Sequence, residues 1–152
     1  MSLQLIPATS ITDMAFARTV ARRNMLPYYS EFGLIWIDDA FDECWKWRDN
    51  RLLEDDTGVL GFVSLSYDQR AVFIRELQLV ESARGRGVGS LVLEWVRALA
   101  VERHLPLVRL TVFKSNRAQR LYQRRGFDVV GEDECFLRME RRVMPQASVP
   151  GP

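Results

Sequence analysis

Hydrophobic and polar positions along the chain follow two different periods, and the switch between them marks the elements. Residues 59–67 and 71–80 are strand-like apolar runs separated by Asp68-Gln69-Arg70, a turn signature. A shorter run at 51–55 precedes them across Asp56-Thr57-Gly58, a tight turn, so three antiparallel strands are expected in succession. The period then changes. Val88, Leu91, Val92, Trp95, Val96 and Leu99 fall three and four residues apart on one helical stripe, which predicts a helix from 88 to about 103 with Trp95 in the core. Pro106 stops it. Residues 107–113 read as the next strand, 116–125 as a helix closed by Gly126, and 127–131 and 135–141 as a last pair of strands. Upstream, 3–7 forms a short first strand. Ser10 or Thr12 caps a helix with Asp13 in its first turn, Phe16, Val20 and Met25 share one face, and the helix is expected to end near Pro27. The segment 28–50 carries Tyr28, Tyr29, Phe32, Trp36, Phe41, Trp45 and Trp47, read as a loop and a helix over 37–49. Most of these rings are expected in the core, because aromatics bury large areas, and a minority in a ligand pocket. Strands and helices in this order predict an α/β sandwich with a mixed sheet.

Bulk properties narrow the picture. A chain of 152 residues is one domain by default, assigned here to 1–142, with a disordered tail at 143–152 rich in Pro, Gly, Ser and Gln. The net charge of +1 gives no global sign of nucleic-acid binding, but its distribution is uneven. Residues 31–56 hold nine acids against three bases, net −6, and residues 68–125 hold twelve bases against five acids, net +7. The basic half suits an anionic ligand, and the acidic half suits a cationic one or is simply a solvated surface. Cys44 and Cys135 show neither disulfide nor zinc spacing and fit free thiols in a reducing cytoplasm. Residues 1–10 lack the basic and apolar regions of a signal peptide, and no apolar run reaches membrane-spanning length. The lone His104, at a predicted helix end, is given a structural role, and no metal site is expected.

The chemistry concentrates in Arg84-Gly85-Arg86-Gly87-Val88-Gly89, a glycine-rich turn between a strand and a helix. Glycines let the backbone approach an anion, and the free N–H groups and dipole of the helix start attract phosphate. A Walker loop needs Gly-Lys, which is absent, and a dinucleotide loop needs a differently placed third glycine. Arg84, Gly87 and Gly89 instead satisfy R-x-x-G-x-G. Together with Leu77-Gln78-Leu79-Val80-Glu81-Ser82-Ala83 before it, this turn resembles the pyrophosphate loop of the GCN5-related N-acetyltransferases, the GNAT family. A second stretch, Val112-Phe113-Lys114-Ser115-Asn116-Arg117-Ala118-Gln119-Arg120-Leu121-Tyr122 running on to Gly126-Phe127, resembles the family's other signature. The likeness spans about 59 to 141.

The resemblance implies a mostly antiparallel sheet splayed between the strands at 71–80 and 107–113, with acetyl-coenzyme A as cosubstrate and its pantetheine arm in the cleft. Leu77, Gln78 and Leu79 would bind that arm through the backbone, and an N–H near Leu79 would polarise the acetyl carbonyl. The N–H groups of Gly85, Arg86, Gly87, Val88, Gly89 and Ser90 would hold the pyrophosphate, and Arg84 and Arg86 either pair with phosphate or face water. Asn116 is the expected pantetheine contact. Ser115 is the alternative, because many relatives place this residue one position further from the tyrosine, and either residue also suits a plain helix cap. Tyr122 corresponds to the family's general acid, and a phenol with an ordinary pKa of about 10 stays protonated at neutral pH. Glu76 is the candidate base. Strand alternation puts it opposite Leu77 and Leu79, which leaves pairing with a neighbour or exposure to solvent open. Asp38, Asp39 and Glu31 are lesser candidates that would bind a cationic acceptor. The expected activity is direct acetyl transfer to a primary amine in a ternary complex, the acceptor being a small cationic amine. The alternatives are a protein amino group as acceptor or a non-catalytic acyl-coenzyme A sensor. No nucleic-acid or membrane partner is expected, and a homodimer is compatible with the fold type.

Overall fold

A computed structural model describes residues 2–145. Strands β1 (Gln4–Pro7), β2 (Asp49–Asp55), β3 (Gly58–Tyr67), β4 (Ala71–Leu79), β5 (Leu107–Phe113), β6 (Asp128–Glu132) and β7 (Phe136–Arg142) form one sheet in the order β1-β2-β3-β4-β5-β7-β6. All neighbours are antiparallel except β4 and β5. Helices α1 (Ile11–Glu31) and α2 (Asp38–Trp45) cover one face. Their core partners are Ala17, Val20, Ala21, Phe41 and Trp45, against Leu52 and Phe62 of the sheet. Helix α3 (Val88–Glu102) buries Val88, Val92 and Val96 on the other face against Leu53, Val63, Leu65, Val72 and Val108, and α4 (Ala118–Arg124) adds Tyr122 to the same cluster.

Three helices depart from expectation. Helix α1 continues through Pro27 to Glu31. Pro27 lies on the exposed face, where the carbonyl it leaves unbonded can face water, and the extra turn is held by Tyr28 and Phe32 stacking on Phe113, each 5.5 Å away. Ser10 caps this helix reciprocally with Asp13, while Phe16 and Met25 are only half-buried. Helix α2 spans eight residues rather than 37–49, because Asp49 and Asn50 are drawn into β2. Ser64 Oγ donates to Asn50 Oδ1 at 2.6 Å, and Asn50 Nδ2 donates to the Trp45 carbonyl at 2.9 Å, a buried polar link between sheet and helix. Helix α4 starts two residues late, at Ala118, because the Asn116 side chain accepts that residue's N–H at 2.9 Å. Trp47 is exposed rather than core, and the α3 stripe takes Leu93 inside while Leu91 is exposed.

His104 adopts a left-handed backbone (φ 59°) and so ends α3. Val143 still donates to the Pro106 carbonyl at 2.8 Å, and the rest of the expected tail, 146–152, lies outside the described residues. Among the described residues no helix is long and apolar enough to cross a membrane.

Gly61 faces Leu79 across the β3–β4 ladder, and a Cβ there would stand only 2.0 Å from the Gln78 carbonyl oxygen. Gly61→Ala is therefore expected to cost about 2 kcal/mol, lowering the melting temperature by roughly 4–8 °C. A melt followed by circular dichroism that shows no loss contradicts this packing.

Candidate active site

The β4–β5 pairing begins at Ala71 with Leu107 and stops at Ile74 with Leu110. Arg75 is an extra residue on β4, since Leu65 pairs with Ile74 while the adjacent Ser64 pairs with Glu76. Such a bulge bends its strand and sharpens the twist, which turns β4 away from β5. The gap opens into a cleft of about 570 Å³, floored by 75–79 and 111–113 and walled by α1 and α4.

Backbone direction follows from the register. Val80 N–H donates to the Leu60 carbonyl on β3 at 2.8 Å, so the Leu79 and Leu77 backbone groups point the other way, into the cleft. Gln78 turns its backbone toward β3, as its carbonyl's closeness to Gly61 shows. Arg84 and Gly89 also line the cleft. Between them Gly85 and Gly87 have φ of 71° and 78°, a conformation that favours glycine. Gly87 precedes α3 with no side-chain cap, which leaves the first-turn N–H groups of Val88, Gly89 and Ser90 without side-chain acceptors. This donor set, with two arginines beside it, fits a pyrophosphate. Gly89 also packs closely, since a Cβ would lie 2.9 Å from Leu121 on α4.

The predicted residues divide into two groups. Glu76, Leu77, Gln78, Leu79, Arg84, Gly89, Asn116 and Tyr122 share the cleft, and Gly85, Arg86, Gly87, Val88 and Ser90 make up the adjoining turn and helix start. Ser115 points elsewhere, its hydroxyl donating to Glu31 at 2.5 Å. Arg86 donates to Asp55 at 2.8 Å. Asp38 accepts from Trp36 Nε1 at 2.7 Å and pairs with Arg22 at 3.7 Å, so much of the acidic run is locally engaged.

Asn24, Arg75 and Phe136 line the cleft although the sequence reading had not placed them there, and Tyr28 and Tyr29 are the minority of the 28–50 rings that do so. Asn24 is the most connected of these. Its Nδ2 donates to the Leu79 carbonyl at 2.9 Å and to Gln78 Oε1 at 3.2 Å, and its Oδ1 accepts from Arg84 at 2.5 Å. Gln78 Nε2 in turn donates to Glu76 at 2.8 Å. The available signal was Asn24, Tyr28 and Glu31 at helical spacing, which ending the helix at Pro27 concealed.

Tyr122 is buried, its ring edge-on to Phe127 at 5.8 Å. Its hydroxyl has no protein hydrogen-bond partner among the described residues and is not sealed from the cleft. Burial, then the Glu76 charge, pushes Tyr122 up to about 12, and the same two causes raise Tyr29. Burial also holds the Glu76 carboxyl above its usual range, against the opposing Gln78 hydrogen bond and the Arg48 charge.

A seven-stranded sandwich whose central parallel pair opens into such a cleft defines an α/β acyltransferase fold. The chain belongs to the acetyltransferase (GNAT) family, whose profile matches residues 15–127. Among solved structures it resembles the PaiA N-acetyltransferase of Thermoplasma acidophilum in complex with coenzyme A, with 19% identity and a TM-score of 0.71, covering 93% of this chain and 99% of that one. It also resembles Ard1 of Thermoplasma volcanium, with 18% identity and a TM-score of 0.76 over 95% and 100% of the two chains. A third is the ribosomal-protein-S18-alanine N-acetyltransferase of Escherichia coli, with 16% identity and a TM-score of 0.75 over 97% and 99%. At these identities the likeness shows the fold. No curated protein matches the sequence significantly.

A carboxyl raised by burial binds its proton more tightly in the native state than in the unfolded chain. Stability therefore falls as pH rises from the ordinary carboxylate range through the raised native value. Glu76→Gln removes that loss. Its melting temperature is expected to exceed that of the parent at about pH 8, with the gap closing toward about pH 4. A variant less stable than the parent at the higher pH contradicts the burial of this charge.

Proposed function

We propose that the protein transfers the acetyl group of acetyl-coenzyme A to the primary amine of a small molecule, directly and within a ternary complex. Acetyl-coenzyme A is the cosubstrate that this family and cleft take, supplying an activated thioester. The observation that carries the catalytic reading is the meeting of Glu76 and Tyr122 in one cleft, close enough for the Glu76 charge to shift the phenol.

The roles follow from geometry. First-turn N–H groups of α3, with Arg84 and Arg86, hold the pyrophosphate. The cleft-facing backbone of Leu77 and Leu79 extends the sheet to the pantetheine amides, and the Leu79 N–H stabilises charge developing on the acetyl oxygen. Asn116, with its Oδ1 committed to Ala118, offers its amide N–H to the same arm. The acceptor arrives as an ammonium ion, and Glu76, kept basic by its setting, takes the proton. Gln78 and Asn24 fix that carboxylate in place. The amine nitrogen forms its bond to the acetyl carbon, the carbon–sulfur bond breaks, Tyr122 gives its proton to the leaving thiolate, and the second proton lost by the nitrogen restores the phenol. Neither Cys44 nor Cys135 lines the cleft, which supports direct transfer over an acetyl-enzyme. The two unpaired thiols also suit a reducing compartment such as the cytoplasm.

Tyr122→Phe is expected to lower kcat by roughly 10²- to 10³-fold while the acetyl-coenzyme A dissociation constant stays within about threefold. Thiol-release kinetics and calorimetric titration check the two halves. Unchanged kcat removes Tyr122 from the mechanism.

A further inference from the structure

Helix α1 spans the cleft. Asn24, Tyr28 and Phe32 fall four residues apart along one of its faces. Asn24 meets Arg84 and the Leu79 carbonyl at the glycine turn, while Tyr28 and Phe32 stack on Phe113 of β5. The end beside β5 is aromatic. Tyr28 and Phe113 are nearly parallel, 15° apart. Tyr29 meets Phe113 edge-on at 5.7 Å, and Phe136 of β7 lies 4.5 Å from Phe113. All four rings line the cleft, and Tyr28, Tyr29 and Phe136 are only half-buried, so they keep surface for a ligand. This wall reaches the Glu76 carboxyl. Burial, then the Glu76 charge, raises both Tyr29 of α1 and Tyr122 of α4, so the carboxyl stands close to both.

The cleft offers one anion and no second. Glu76 is its one carboxylate among the described residues, and its other charged groups are Arg75, Arg84 and Arg117. Acids of the neighbouring segment are taken up elsewhere, Glu31 by Ser115, Asp38 by Trp36 and Arg22, and Asp42 by Arg18. A second ammonium on the acceptor would lose water and meet only cations. A carboxylate on the acceptor would find Arg84 bound by Asn24 and Arg75 reaching away to Ser66 and the Phe73 ring. Glu76 thus suits one ammonium, and the rings beside it suit carbon, with their faces adding attraction for a nearby cation.

We propose that the acceptor is a primary monoamine on an uncharged apolar skeleton, its ammonium at Glu76 and its carbon chain against Tyr28, Tyr29, Phe113 and Phe136. This assignment names the substrate class of the proposed transferase and rests on that reading with Glu76 as base.

The test measures kcat/KM for n-butylamine, n-hexylamine and 1,6-diaminohexane in a thiol-release assay with acetyl-coenzyme A, using the parent, Tyr28→Ala and Tyr28→Phe. Equilibrium binding of acetyl-coenzyme A is measured in parallel. In the parent, n-hexylamine should exceed n-butylamine by about 15-fold, roughly fourfold for each methylene buried on the rings. It should exceed 1,6-diaminohexane, which carries a second charge on the same chain, by about tenfold or more. Tyr28→Ala should bring n-hexylamine to within about threefold of n-butylamine, mainly through KM, while Tyr28→Phe keeps the advantage and both variants bind acetyl-coenzyme A like the parent. The proposal is overturned if neither monoamine is acetylated, if the longer chain brings no gain, if the diamine reacts as well, or if a folded Tyr28→Ala keeps the full advantage. Should Tyr28→Ala not fold, the parent series alone decides. Failure of the parent to bind acetyl-coenzyme A would instead overturn the transferase reading itself.

Discussion

The parallel ladder between β4 and β5 ends after four residue pairs, and the bulge at Arg75 is what ends it. One residue added to β4 has three consequences. It bends the strand, so the sheet parts and a cleft opens through its centre. It leaves the Leu77 and Leu79 backbone groups without a strand partner on that side, where only the Leu79 carbonyl is taken up, by Asn24. It also breaks strand alternation, so Arg75 and Glu76 share one face of the sheet while their side chains reach in opposite directions, Arg75 to Ser66 and Glu76 to Gln78. The cleft is stable despite its unpaired edges because β3 holds β4, and β7 holds β5, along their other sides.

Helix α1 completes what the bulge begins. Asn24 joins the Leu79 carbonyl, the Gln78 amide and the Arg84 guanidinium, so it binds a carbonyl that the parted sheet would otherwise leave unsatisfied. Through Gln78 the same chain reaches Glu76. The glycine-turn end of the cleft and the Glu76 end are thereby linked through side chains rather than through separate loops. Burial supplies the electrostatics. It keeps Glu76 more basic than a free carboxylate and Tyr122 protonated, which sets an acceptor and a donor of protons in one enclosed space.

Much of this was legible in the sequence wherever local chemistry decides the structure. The turns at Asp56–Gly58 and Asp68–Arg70, the apolar stripe of α3 and the glycine turn each carry their own signal, and their elements fall within a residue or two of expectation. The failures are tertiary. Pro27 reads as a stop, yet Phe113, distant in sequence, stacks on Tyr28 and Phe32 and holds the helix past it. Asp49 reads as the helix end, yet it opens β2 beside Asn50, which Ser64 holds in the sheet. Ending α1 near Pro27 also hid that Asn24 and Tyr28 share one helical face toward the cleft. The bulge at Arg75 has no local mark at all, since it exists only in the register against β3. Asp42 of α2 pairs with Arg18 of α1 at 2.6 Å, and Asp49 pairs with Arg51 along β2 at 2.9 Å, so these acids of the 31–56 segment are taken up outside the cleft.

The central claim is that the parted strands and the glycine turn form a coenzyme A site, and thermal melting with acetyl-coenzyme A tests it most directly, with ATP and NAD as controls that carry phosphates but no pantetheine. At a hundredfold excess over its dissociation constant the ligand adds about 2.7 kcal/mol, a rise of roughly 5–10 °C for a chain of this size. A rise with acetyl-coenzyme A alone is the predicted result. No rise, or an equal rise with ATP, would contradict the account.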